Sequence, residues 1–217
     1  MRRRHFLTLS STGALLVYTL DGQPTVQSQP GEQKIPLKFF TEEQAHIVAA
    51  ATSRIFPTDG SGPGANEAGV TLYIDRQLTG PYGRDRYRFT QLPFEQGTPT
   101  QGYQGAANPR EIYRAGLKLL TGLPNLTPEE QDNRLRSIET SPFFQLLRQH
   151  TLEGMFCDPM HGGNRDLIGW QLIGFPGPYM SWTNDIEKHK GEAFRPKSQS
   201  LAQILNRKIT PWEEIEP

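Results

Sequence analysis

The chain has 217 residues with 21 glycines, 18 prolines and a single cysteine, and its 23 Lys and Arg residues balance 23 Asp and Glu. Zero net charge, with no run of Lys or Arg beyond the first four residues, argues against a nucleic-acid binder, which needs a basic face to release counterions. Leu, Ile and Phe number 22, 12 and 11 against 4 Val, which disfavours a parallel α/β sheet; the expectation is a mainly α fold, an irregular helical bundle with long Gly/Pro-rich loops.

Residues 1–22 read as an export signal. Three arginines precede an uncharged run from Phe6 to Leu20, shorter than the roughly 20 residues a helix needs to cross a bilayer. Arg3-Arg4-His5-Phe6-Leu7 is similar to the twin-arginine signal, in which two arginines, one free position, Phe and Leu follow one another. Arg3, Arg4, Phe6 and Leu7 are its candidate residues. Residues 23–38 lack a periodic apolar face and are expected to form a disordered tether. No clear Ala-x-Ala site precedes the tether, so cleavage and retention of the signal both stay open.

Residues 39–217 are expected to form a single helical domain. Its first helix lies between Phe39 and Phe56, with Thr41 as N-cap, Gln44 at the third helical position, and Ile47, Val48, Ala51 and Ile55 at helical spacing. After the turn-rich PTDGSGPGA, a second helix aligns Val70, Tyr73, Ile74, Gln77 and Leu78. RDRYRF suggests barely two helical turns, and residues 80–107 otherwise lose all period, as a long surface excursion would. Three more helices share one grammar, a polar cap followed by Pro at the first helical position: Asn108-Pro109, Thr127-Pro128 and Ser141-Pro142. Glu111 and Glu130 complete two capping boxes. His150 falls on an apolar stripe and reads as a hydrogen-bonded core histidine.

Usual signatures of chemistry are missing. There is no Cys-x-x-Cys-His, no Gly-x-Gly-x-x-Gly opening a helix, no Walker loop and no Gly-x-Ser-x-Gly elbow, so no catalytic, cofactor or metal site is assigned to this chain. The densest segment is FCDPMHGGNRDLIGWQLIGFPGPYMSW, residues 156–182. Cys157, Asp158 and His161 lie within five positions there, and a stand-alone exported enzyme built on these three is the alternative reading. A built loop explains more of the same residues: Asp158-Pro159 starts a turn, Gly162-Gly163 allows positive φ, and Asn164 can cap a short helix from Arg165 to Ile173. Trp170, Phe175, Tyr179 and Trp182 add four rings that must be buried either in this domain or beneath another protein.

At these residues the chain resembles the gluconate 2-dehydrogenase subunit 3 family, the small gamma subunits of membrane-bound, FAD-dependent sugar and polyol dehydrogenases. The likeness rests on Asp158-Pro159-Met160-His161-Gly162-Gly163-Asn164, Gly169-Trp170 and Ile173-Gly174-Phe175-Pro176-Gly177. Upstream, Phe56-Pro57, Pro63-Gly64-Ala65, Gly69-Val70 and Ile74-Asp75 also resemble the family. His161 stands where the family pattern more often has an aromatic.

The resemblance implies a non-catalytic subunit in the periplasm, associated with the cytoplasmic membrane through its complex. Its partners would be a large flavoprotein that holds FAD, a multihaem cytochrome c carrying haem c as a further subunit, and the twin-arginine translocase. The expected contact with the flavoprotein is Asp158, Pro159, His161, Gly162, Gly163, Asn164, Trp170, Gly174, Phe175, Pro176 and Gly177.

Overall fold

The computed structural model describes residues 8–9, 15–18, 24–27, 36–86, 93–95, 97–179, 183–191 and 193–206. The chain divides into two units, residues 1–36 and 37–217. In the first, strands β1 (Thr8–Leu9), β2 (Leu15–Tyr18) and β3 (Pro24–Gln27) pair antiparallel in that order, with Leu16 opposite Val26. Arg3, Arg4, Phe6 and Leu7 lie outside the described residues, as do Trp182 and the second half of the RDRYRF segment, residues 87–89.

The second unit is helical. α1 (Glu42–Ile55) starts where the sequence places its cap: the Thr41 side chain accepts the Gln44 N–H, and the Gln44 side chain returns a bond to the Thr41 N–H. α2 is Val70–Thr79. α3 (Pro109–Leu119), α4 (Pro128–Arg136) and α5 (Pro142–Phe156) begin at Asn108, Thr127 and Ser141, each side chain accepting a first-turn N–H. Three short helices follow, α6 (Ile168–Ile173), α7 (Thr183–Lys188) and α8 (Leu201–Ile204). Among the described residues no helix is long and apolar enough to cross a membrane.

The core lies among α1, α2, α3 and α5. Val48, Ala51, Val70, Ile74, Leu78, Tyr113, Leu120 and Leu147 are fully enclosed. The expected α2 stripe holds except at Gln77, which is only half-buried, while the neighbouring Asp75 and Arg76 go inside instead. Asp75 is retained there by three backbone donors at 2.9 Å: the N–H groups of Phe39 and Phe40 reach Oδ1, and that of Lys38 reaches Oδ2. The carboxylate thus fixes the strand of chain that enters α1, and the buried charge is compensated. α4 is tied to α1 by a two-pronged bond from Arg54 Nε and Nη2 to Asp132 at 2.7 and 2.9 Å.

His150 is the core histidine expected from its stripe. Its Nδ1 lies 2.8 Å from the Tyr113 hydroxyl and its Nε2 2.9 Å from that of Tyr82, with no exposure to solvent. A neutral imidazole donates to one hydroxyl and accepts from the other. Burial, opposed by the charge of Glu153, pulls its pKa down to about 4.

Candidate functional site

The loop singled out by sequence leaves the end of α5 and is built from backbone contacts. Asp158 begins it: Oδ1 accepts the Met160 N–H at 3.0 Å and sets a single 3-10 turn over Pro159–His161. Gly162 then takes φ 94°, which reverses the chain. Gly163 must be glycine for a different reason: a Cβ there would run into the Gly154 carbonyl, since the loop lies flat on the last turns of α5.

Asn164 is the hub. Fully buried at φ 45°, it donates its N–H to the Gly154 carbonyl at 2.7 Å and its Nδ2 to the Cys157 carbonyl at 2.9 Å, and its Oδ1 accepts the Gly169 N–H at 2.8 Å. Its side chain makes no bond to the 3-10 turn it precedes; the amide oxygen instead takes a first-turn N–H of α6, within the helix the sequence expected it to cap, while its other two bonds lock the segment onto α5. Asp166 and Leu167 are also left-handed, at φ 55° and 60°. Two further non-Gly residues in this region of φ/ψ space are held only because the surrounding bonds over-determine them. Arg165 N–H reaches the Ala68 carbonyl at 3.0 Å, joining this loop to the Gly64–Gly69 turn before α2. The two stretches that carry the family likeness thus meet in space.

α6 packs inward through Gly169 and Trp170. A Cβ on Gly169 would meet the Met155 carbonyl, and the Trp170 indole donates to the Phe156 carbonyl at 2.6 Å. Gly174 ends α6 at φ 67°, and Phe175 returns its N–H to the Trp170 carbonyl at 2.8 Å. The Phe175 ring stands edge-on to Trp170, with centroids 5.0 Å apart.

Sequence reasoning missed what holds the far side of this loop. Residues 198–201 run along it: Ser198 Oγ donates to the Phe175 carbonyl at 2.6 Å, Gln199 N–H to that of Pro176 at 3.0 Å, and Leu201 N–H to Asp158 Oδ2 at 2.7 Å. Gly177 has no room for a Cβ because the Gln199 carbonyl fills the place. The sequence signal was faint, a Ser200 cap with Gln203 three residues on, opening a helix of only four residues.

The residues expected at a partner contact therefore divide. Asn164, Gly163, Trp170 and Gly177 are buried within this domain, and Asp158, Pro159, Gly162 and Pro176 are half-buried parts of the frame. His161, Gly174 and Phe175 are exposed. The same segment exposes further apolar side chains, Met160 at 44%, Ile173 at 58% and Phe175 itself at 41%, with Leu172 and Tyr179, and Leu201 of the covering stretch, also open to solvent. Adjacent Leu172 and Ile173 end a helix whose inward side is already filled by Gly169 and Trp170, a signal readable from IGWQLI alone.

Cys157 and Asp158 are engaged apart from one another and from His161. Burial, with the charges of Asp158 and Glu153 adding to it and the Gly163 N–H opposing, pushes the Cys157 thiol up to about 12. Both Asp158 oxygens accept backbone N–H groups, and no hydrogen bond among the described residues joins the three side chains.

A helical bundle that spends its Gly-rich loop on its own scaffold and leaves an apolar rim outside has the make-up of an accessory subunit. The chain belongs to the gluconate 2-dehydrogenase subunit 3 family, which its residues 42–177 match, and so to the accessory subunits of dehydrogenase complexes. No curated protein and no solved structure matches it.

Proposed function

We propose that this chain is the non-catalytic gamma subunit of a periplasmic, membrane-associated, FAD-dependent sugar or alcohol dehydrogenase. It carries the folded flavoprotein through the twin-arginine translocase and then clamps it. FAD sits in the large subunit, and haem c in a cytochrome subunit that receives the electrons. The observation that carries this reading is the rim of Met160, Ile173, Phe175 and Tyr179, exposed on a frame that hydrogen bonds and close glycine contacts hold in one shape. Apolar side chains grouped on a rigid support suit a permanent interface, because little ordering entropy is lost on association.

Co-expression with the flavoprotein tests both halves. Changing Arg3 and Arg4 to Lys is expected to strand the catalytic activity in the cytoplasm; normal periplasmic activity removes the escort role. Ile173→Asp with Phe175→Asp is expected to separate the subunits while leaving the melting temperature of the isolated small subunit within a few degrees. Co-purification of that double variant with the flavoprotein at full yield removes the rim from the interface.

A further inference from the structure

The cations of α3 stand in one row. Arg110, Arg114 and Lys118 follow at four-residue spacing and so share a side of the helix, with Arg114 and Lys118 exposed. The row extends at both ends. Arg84, in the turn after α2, lies close enough to Arg110 that it and Arg114, after burial, hold the Arg110 guanidinium below its usual range by repulsion. At the other end Arg134 of α4 donates from Nη1 to the Leu119 carbonyl at 3.2 Å.

Arg110 is the fixed member. It donates to the carbonyls of Leu78 and Thr79 at the end of α2 and lies over the Phe39 ring at 5.6 Å, while Arg114 lies over the same ring at 5.5 Å. Among the described residues no ion pair engages Arg84, Arg114, Lys118 or Arg134. Carboxylates that belong to the same elements are otherwise placed: Asp85 follows Arg84, Glu111 accepts the Asn108 N–H in the α3 cap, and Glu130, four residues before Arg134 on α4, accepts the Thr127 N–H and hydroxyl in its own cap.

We infer that this strip, Arg84–Arg110–Arg114–Lys118–Arg134, is a docking face for the anionic headgroups of a lipid bilayer. The row is spread along a helix rather than converging on a point, which suits a continuous anionic surface better than a single small anion. Leu119, 50% exposed, and the exposed Ala115 interrupt the charges with apolar surface, as the boundary between headgroups and acyl chains requires. The helical unit also begins here, with Phe39, just ahead of α1, lying under both arginines. Attachment through the strip needs neither a flavoprotein nor export, so it stands apart from the escort reading.

The test is sedimentation of the full chain with vesicles of phosphatidylcholine alone or with about 30% phosphatidylglycerol, at roughly 50 and 500 mM salt. The wild type is expected to bind the anionic vesicles at least tenfold more tightly, and less so at high salt. Arg114→Glu with Lys118→Glu and Arg134→Glu is expected to weaken that binding at least a hundredfold, since removal of each of the three cations alone is worth about fivefold. The control Lys190→Glu, outside the strip, is expected to change it less than twofold. If the triple Glu variant does not fold, the matching Gln variant is expected to show the same loss at lower amplitude. Every variant keeps the N-terminal run, so unchanged vesicle binding in the folded triple variant overturns the inference. It is equally overturned if vesicle binding persists while salt-sensitive binding to the flavoprotein is lost, which assigns the strip to an acidic protein face.

Discussion

Asp158 accepts the Leu201 N–H at 2.7 Å, so the first residue of the family loop holds the segment that closes over its last residues, 43 positions away in sequence. With Oδ1 engaged on Met160, one carboxylate fixes both the turn and its cover. Asp158→Ala is therefore expected to raise hydrogen exchange and proteolytic cleavage around residues 198–204 strongly. Global stability in urea should fall by only about 1 kcal/mol, the usual effect of losing a cap. Unchanged protection at 198–204 would show that the bond does not hold the segment.

Asn164 gives the opposite expectation. All its polar atoms work in the interior, so Asn164→Ala leaves the Gly169 N–H and the Cys157 carbonyl without partners and places a residue less tolerant of φ 45° at the hub. Urea unfolding should register a loss of about 3 kcal/mol or more. A loss below roughly 1 kcal/mol contradicts the role assigned to this side chain.

Two glycines separate crowding from sequence motif. Gly169→Ala drives a methyl into the Met155 carbonyl and is expected to unfold the α5–α6 contact, with a melting temperature lower by about 10 °C or more. Gly60→Ala meets nothing within 4 Å and is expected to be neutral within about 0.5 kcal/mol. Thermal melts of the pair decide the matter, since equal effects would contradict the packing described for α6.

His150 makes stability depend on pH. Its folded pKa of about 4 lies below the ordinary 6.5, so between these values the unfolded chain binds the extra proton and the folded chain does not. The contribution of the neutral imidazole is complete above pH 6.5 and is lost as pH falls towards 4, an amount of roughly 3 kcal/mol. His150→Gln removes the titration. Urea midpoints of wild type and variant should converge as pH drops through that window, and parallel curves would contradict the burial of a neutral ring between Tyr82 and Tyr113.

Cys157 should be slow to react. With the thiol pushed up to about 12, its thiolate at pH 8 is about a thousandfold scarcer than that of a thiol at the ordinary 9. Iodoacetamide labelling of the native protein is expected to take hours where a peptide thiol takes minutes, and to speed up on unfolding. Rapid labelling in the native state would revive a nucleophilic role for the segment.

The helices and their starts were legible because caps are local. Thr41, Asn108, Thr127 and Ser141 each announce a helix within four residues, and each one forms there. The built loop at Asp158 was legible for the same reason. The burial of Asp75 was not, because the donors that compensate it come from residues 38–40, which no helical period connects to α2. The cover at 198–201 was hidden likewise, its bonds being made mostly to main-chain carbonyls that any sequence possesses. The cationic strip forms no run in the sequence, since its members recur every fourth residue on α3 and are completed by two other elements.

The pairing of residues 198–201 with the loop has a bearing on how the protein is handled. A recombinant version cut after residue 197 would lose the donors that now occupy the Phe175 and Pro176 carbonyls and would bare the trough above Gly177. An unfilled trough of that kind, lined by free carbonyls, invites the strand of a neighbouring molecule, so shortening the tail to tidy a preparation would trade a closed surface for a sticky one.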